Sequence, residues 1–218
     1  MIDPFSKGIR LGRLQPVTLA DLANSGLTRH DARKLRIREV SVDEMRALGG
    51  KPCGGYALPY FDLRGKATDF TRYKYIVPPE KLEDWVAAKF PKYHSVSGKG
   101  NRLYFPPLHR QLSWEAILKD PKVRIAITEG EKKAAKATKC GLPTIGISGV
   151  WNWVAKGRNP ILDLKLINFE QREVALIFDS DIANNQNVDM ALTALAGEII
   201  RRGGKPFRIT LPETLEGL

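Results

Sequence analysis

Of 218 residues, 43% are hydrophobic, and Lys and Arg outnumber Asp and Glu by 35 to 24, a formal charge of +11. This length and apolar content suffice for one large core or two smaller ones, while the absence of any run of 18 apolar residues excludes a membrane-spanning helix. Two cysteines, Cys53 and Cys140, fall short of a disulfide framework or a four-ligand zinc site; with a start at Met1–Lys7 that lacks the apolar core of a secretory signal, they lead to the expectation of a reducing, cytoplasmic setting.

Residues 1–120 carry 21 basic and 13 acidic groups, and residues 121–218 carry 14 and 11. The positive excess is therefore concentrated in the first half, where it suits a polyanion such as nucleic acid ahead of mere solubility.

In chain order, residues 1–50 read as short helices. Thr18 precedes an apolar run closed by Ser25-Gly26, Thr28 caps a basic segment, and Ser41 with Glu44 three residues on forms a capping box closed by Gly49-Gly50. The cluster Arg33, Lys34, Arg36 and Arg38 suits either phosphate contact or a solvated face. Residues 56–63 and 70–77 alternate and are rich in aromatic and β-branched side chains, with Arg64-Gly65-Lys66 as the turn of a hairpin. Arg72 and Lys74 share one face of its second strand, Tyr73 and Tyr75 the other. A basic face backed by aromatics fits a single nucleic-acid strand; a half-buried strand with wet cations fits equally. Lys81–Phe90 is a helix stopped by Pro91, followed by a basic glycine loop with Lys99 and Arg102 running into a short strand. That loop lacks the spacing of a phosphate-binding P-loop.

Pro106-Pro107 reads as a seam. The expected division is a basic α+β domain at 1–107, a connecting helix at 108–120, and an α/β domain at 121–218. In the last, two Val/Ile/Leu runs break abruptly into acid: Val123–Glu131 ends in Glu-Gly-Glu, and Val174–Asp181 ends in Asp-Ser-Asp. Such runs look like buried parallel strands opening into loops. A helix at Glu131–Cys140, with Cys140 a small buried residue, a strand at Pro143–Ser148, a helix capped by Asn187 and a strand from Phe207 complete an open, mostly parallel four-stranded sheet flanked by helices. Ligands of such sheets gather at the carboxyl ends of the strands, where Glu129, Asp179 and Asp181 fall.

Three acids brought together repel unless a cation neutralises them, and hard oxygen ligands in an incomplete set suit Mg²⁺ or Mn²⁺ that also takes substrate phosphate. The ordinary alternative is that the acids solubilise a sheet edge. His30, His94 and His109 have no metal or triad spacing and read as surface or packing residues. Trp151 and Trp153 read first as packing residues and second as a stacking surface for a base.

Thr-Glu129-Gly130-Glu131-Lys-Lys-Ala, Ile-Ser-Gly-Val-Trp-Asn-Trp and Phe-Asp179-Ser-Asp181 together resemble the TOPRIM domain of DNA primases, topoisomerases and some nucleases, most closely the primase-like proteins of phages, plasmids and other mobile elements. The resemblance covers about residues 121–212. It implies a TOPRIM-like sheet, Glu129 as the strand-end glutamate, and Asp179 and Asp181 as the metal-binding pair; Lys132 and Lys133, which follow that loop at a helix start, are placed to contact nucleotide phosphate, the family not fixing which one. It further implies a DNA primase: metal-dependent nucleotidyl transfer from nucleoside triphosphates onto primers on a single-stranded DNA template, for replication. The zinc module that begins bacterial-type primases has no ligands here, so template contact is expected from Arg72, Lys74, Lys99 and Arg102. A TOPRIM nuclease using the same acids, and a non-catalytic module that binds single-stranded DNA, are the alternatives. The sequence stops just after its last strand without a closing helix, which leads to the expectation of a replicative helicase, fused or separate, and of weak priming by these residues alone.

Overall fold

The computed structural model describes residues 12–109, 112–155, 157, 159–178 and 186–210. The chain divides into two compact units: Met1–Pro59 with Thr71–Gly98, and Tyr60–Phe70 with Lys99–Leu218. The division thus falls at Gly98–Lys99, ahead of Pro106-Pro107, and the tip of the hairpin groups with the second unit. Aromatic packing supplies the reason for that grouping: the Tyr60 ring meets Phe70 at 4.6 Å and Tyr104 at 5.0 Å, edge-on in both cases.

The first unit carries three short helices, α1 (Pro16–Ala23), α2 (Arg29–Lys34) and α3 (Val42–Ala47), with strand β1 (Arg38–Val40) between the last two. Strands β2 (Gly55–Phe61) and β3 (Ala67–Tyr75) follow, then a 3₁₀ turn at Pro79–Lys81 running into α4 (Leu82–Ala87), and β4 (Tyr93–Ser95). The sheet order is β1-β2-β3-β4, with β1 antiparallel to β2 and β3 to β4. The Thr28 hydroxyl caps α2 in a reciprocal box with Asp31. Ser41 caps α3 through the Glu44 amide at 3.1 Å. Thr18 does not cap α1: it is wholly buried, and the helix begins two residues earlier at Pro16, whose missing N–H costs nothing in a first turn. Gly55 is required where the strands meet, since a Cβ there would lie 1.9 Å from the Lys74 carbonyl oxygen. Val40, Met45, Cys53, Ala57, Tyr73 and Tyr75 form this unit's core. Turn 62–66 closes the hairpin, its Asp62 carboxylate accepting from the Arg64 and Lys66 amides at 2.9 and 2.8 Å.

The second unit contains α5 (Trp114–Lys119), β5 (Ile125–Glu129), α6 (Glu131–Lys139), β6 (Thr144–Ile147), a 3₁₀ turn at Leu162–Leu166, β7 (Glu173–Phe178), α7 (Gln186–Arg201) and β8 (Lys205–Thr210). All four strands run parallel, as the expected open, mostly parallel four-stranded sheet requires, and their order is β6-β5-β7-β8. Side chains divide by the period of two. Ile125, Ile127, Ile145, Ile147, Val174, Leu176 and Phe178 pack with α5 and with Leu192, Leu195 and Ile199 of α7. On the opposite face β5 and β6 carry Ala126, Thr128, Thr144 and Gly146, and Gly146 lets α6 approach closely: a Cβ there would meet the Ala134 Cβ at 3.1 Å. The chain therefore leaves β5 in one direction across the sheet and β7 in the other.

Arg172, just before β7, is a fully buried cation. Its guanidinium donates to the carbonyls of Ile117 and Leu118 in the last turn of α5, and of Val123 and Asn168, at 2.6–3.1 Å. The negative end of α5 and these oxygens replace its hydration; burial nonetheless pulls its pKa below the ordinary arginine value, with Asp120 opposing that shift. Nothing in the spacing around Arg172 announces this role.

Candidate functional site

A parallel sheet with order β6-β5-β7-β8 reverses its winding between β5 and β7, and ligands of such sheets bind outside the carboxyl ends at that switch point. Glu129 is the last residue of β5, level with Ile147 of β6, and half-buried. Thr128 pairs with Ile177, so continuing the register brings Glu129 level with Phe178, the residue before Asp179. Asp179 and Asp181 lie outside the described residues. Period two turns Glu129 to the face that carries α7.

The loop after Glu129 is held from below. Gly130 adopts a φ of 96°, which favours glycine, and its amide donates to the Ile147 carbonyl at 2.7 Å. Glu131 opens α6, is 1% exposed, and accepts a hydrogen bond from the Tyr60 hydroxyl at 2.6 Å. A carboxylate at a helix N-terminus is favoured by the macrodipole. Tyr104 is buried beside it, and burial with the nearby Glu131 charge pushes the phenol pKa far above its ordinary value. Tyr104 also exchanges both backbone hydrogen bonds with Gly146, at 2.8 and 2.9 Å. The acid-Gly-acid motif is thus split by burial: Glu129 reaches the rim, whereas Glu131 anchors the loop.

A second feature of the rim is the loop after β6. The Asn152 side-chain amide donates to Ser148 Oγ at 2.9 Å. Trp151 stays 38% exposed; its indole N–H donates to Asn187 Oδ1 at 2.9 Å and its ring lies nearly parallel to that of buried Trp153. The bond joins the loop after β6 to the first turn of the helix after β7, and β5, which ends in Glu129, lies between those two strands in the sheet. Asn187 sits within α7 and holds Trp151; it is not the residue that caps the helix, because α7 already begins at Gln186.

Lys132 is half-buried and Lys133 exposed in the first turn of α6. The four expected DNA contacts fall in different units. In the first, Arg72 is 9% exposed, donating to Ser95 Oγ at 3.2 Å and lying 4.7 Å over the Tyr93 ring, and Lys74 is ion-paired with Asp21. In the second, Lys99 pairs with Asp69 at 2.8 Å and Arg102 with Asp163 at 3.7 Å, both about half exposed. Arg102 also edges a groove of about 720 Å³ lined by Phe61, Phe70, Leu103 and Phe105; among the described residues Glu129 does not line it. Cys140 is exposed rather than buried, since α6 ends one residue before it with that side to solvent. The His94 ring bonds the Leu48 carbonyl at 2.9 Å, and His109 Nδ1 accepts from the Leu112 amide at 3.1 Å, so both are structural.

Among the described residues no three of His, Cys, Asp and Glu gather as a metal site; two of the three expected ligands lie outside them. Glu129 itself fits a hard divalent cation: an oxygen donor, half-buried, at the switch point. No described helix is long and apolar enough to cross a membrane.

Residues 113–218 match a domain described as a domain of unknown function, DUF3854. The chain is also 28% identical over 118 residues to an uncharacterized protein of Picosynechococcus sp. strain PCC 7002, an alignment covering 48% of this chain and 12% of that relative. No solved structure matches the chain.

Proposed function

We propose that this chain is a DNA primase-like nucleotidyltransferase that joins nucleotides into primers on single-stranded DNA. The observation that carries the reading is the position of Glu129 at the end of β5, beside the switch point, with Asp-Ser-Asp directly following β7 in the chain. An open parallel sheet flanked by helices supports the TOPRIM resemblance, and the +11 charge supports a polyanionic template.

In this reading Glu129, Asp179 and Asp181 hold Mg²⁺ or Mn²⁺, and the bound ion supplies charge neutralisation on phosphate and lowers the pKa of a coordinated hydroxyl. Glu129 would accept the proton of the attacking hydroxyl as the new phosphodiester forms at the α-phosphate and the α–β phosphoanhydride breaks, releasing pyrophosphate. Lys132 and Lys133 meet the triphosphate, and the buried Tyr60–Glu131 bond keeps the strand-end loop in one place, since misplacement by about 1 Å costs about 10²-fold in rate. A replicative helicase, fused or separate, supplies single strand.

Incubating the chain with labelled nucleotides, a single-stranded template and Mg²⁺ or Mn²⁺ tests the proposal. Template-dependent products that vanish in Asp179→Asn/Asp181→Asn support it. Cleavage of the template identifies a nuclease instead, and binding without chemistry identifies a non-catalytic module; either result overturns primer synthesis.

A further inference from the structure

We infer that a pocket formed by Arg13, Arg29 and Arg33 in the first unit binds the phosphodiester backbone of single-stranded nucleic acid. The inference does not rest on the catalytic reading, because none of the strand-end acids takes part in it.

The pocket measures about 250 Å³ and is lined by Gly12, Arg13, Leu14, Arg29, Arg33 and Ile37. Three guanidinium-bearing residues share it, and no carboxylate lines it among the described residues. Three other cations of this unit are matched by carboxylates: Arg38 meets Glu44 at 2.5 Å, Arg46 meets Asp43 at 3.1 Å, and Lys74 meets Asp21. The three pocket arginines have no ion pair among the described residues. Arg29 and Arg33 stand one turn apart on α2, a like-charge spacing that disfavours the helix. The acid between them does not relieve it by lining the pocket: Asp31 is 5% exposed and accepts from the Thr28 amide and hydroxyl, both at 2.7 Å. Arg13 arrives from the segment before α1. An arrangement that gathers permanent like charges without a neutralising partner suits an anion as its occupant.

The chemistry of the walls narrows the anion. Guanidinium forks match the paired non-ester oxygens of phosphate. The volume lies below the roughly 300–1,000 Å³ of sites for drug-sized ligands, so the bound group is small. Leu14 and buried Ile37 offer a limited apolar wall suited to a sugar rather than to a whole base. The pocket therefore takes one or a few phosphates of a longer strand, without reading its sequence.

The test uses the full chain and a fluorescein-labelled oligo(dT), with anisotropy titrations between 50 and 200 mM NaCl. Each neutralised phosphate of a single strand contributes about 0.7 to the slope of log affinity against log salt. Arg13→Gln/Arg29→Gln/Arg33→Gln is expected to flatten that slope by about 2, whereas the corresponding triple Lys variant keeps the slope. Circular dichroism monitors the fold, and the three single Gln variants, each flattening the slope by about 0.7, serve if the triple one fails to fold. An unchanged slope in natively folded Gln variants overturns the inference. So does an arginine-dependent site for inorganic phosphate whose saturation leaves oligonucleotide binding untouched, which would assign the pocket to a free phosphate compound. Primer synthesis is scored separately: loss of slope in a chain that makes no primers supports this site and refutes the catalytic reading, and the converse refutes this site alone.

Discussion

Replacing Arg172 by Met removes a buried cation while keeping its aliphatic volume, and the structure sets the cost. The guanidinium serves four carbonyls, those of Ile117, Leu118, Val123 and Asn168. Leu118 also accepts from the Asn168 amide at 3.1 Å; discounting it, three carbonyls at about 1–1.5 kcal/mol each give a loss of about 3–5 kcal/mol. Against a typical total of about 5–15 kcal/mol this is a large fraction. At about 2–4 °C per kcal/mol for a chain of this size, the second unit should melt about 6–20 °C earlier. Arg172→Lys, with one ammonium for the same oxygens, should fall between the two. Differential scanning calorimetry or thermal circular dichroism reads both variants. A fall of less than about 2 °C for the Met variant would refute the view that Arg172 fastens α5 to the start of β7.

Tyr60→Phe should cost about 1.5–3 kcal/mol in chemical denaturation, the range for a hydrogen bond to a charged group, because the ring contacts with Phe70 and Tyr104 survive; a loss below about 0.5 kcal/mol would show that Glu131 does not depend on this hydroxyl. The hydrogen bond from Arg201, with Arg202 beside it, holds the Glu198 carboxyl below the usual glutamate range. Because the folded pKa is depressed, this stabilisation is present above the ordinary value of about 4.3 and is lost as pH falls through the folded value. The melting-temperature gap between the native chain and Glu198→Gln should therefore be open at pH 7 and close in acid, and a gap that widens in acid contradicts the assignment. Iodoacetamide should modify exposed Cys140 well before Cys53, whose thiol is buried and pushed up in pKa by that burial; equal rates, read by mass spectrometry, would place Cys53 at the surface.

Strands β5 and β7 are readable in the sequence because both their faces are buried, so they appear as apolar runs rich in Ile, Val, Leu and Ala that break into acid. Thr28 and Ser41 are readable because capping is local, settled by an amide three residues away. Thr18 misleads for the same local reason: Pro16 starts the helix first, and a buried hydroxyl is not at a helix end. The three-residue β1 escapes any periodicity. Tyr60 and Glu131 are 71 positions apart, and the oxygens that hold Arg172 are backbone atoms, identical in every residue; neither pairing leaves a trace in spacing. Glu129 is readable at the rim, but the burial that separates its role from that of Glu131 depends on the hairpin tip, which no pattern assigns to the second unit.

The central claim is that acids at the switch point bind a divalent cation, and Mn²⁺ binding tests it without requiring catalysis. Titrating the chain with Mn²⁺ and following free ion by electron paramagnetic resonance should reveal a saturable site. Glu129→Gln should weaken it, and Asp179→Asn/Asp181→Asn should abolish it, with melting temperatures unchanged or slightly raised as repulsion is relieved. Mn²⁺ binding of equal affinity in all three natively folded proteins would contradict the account.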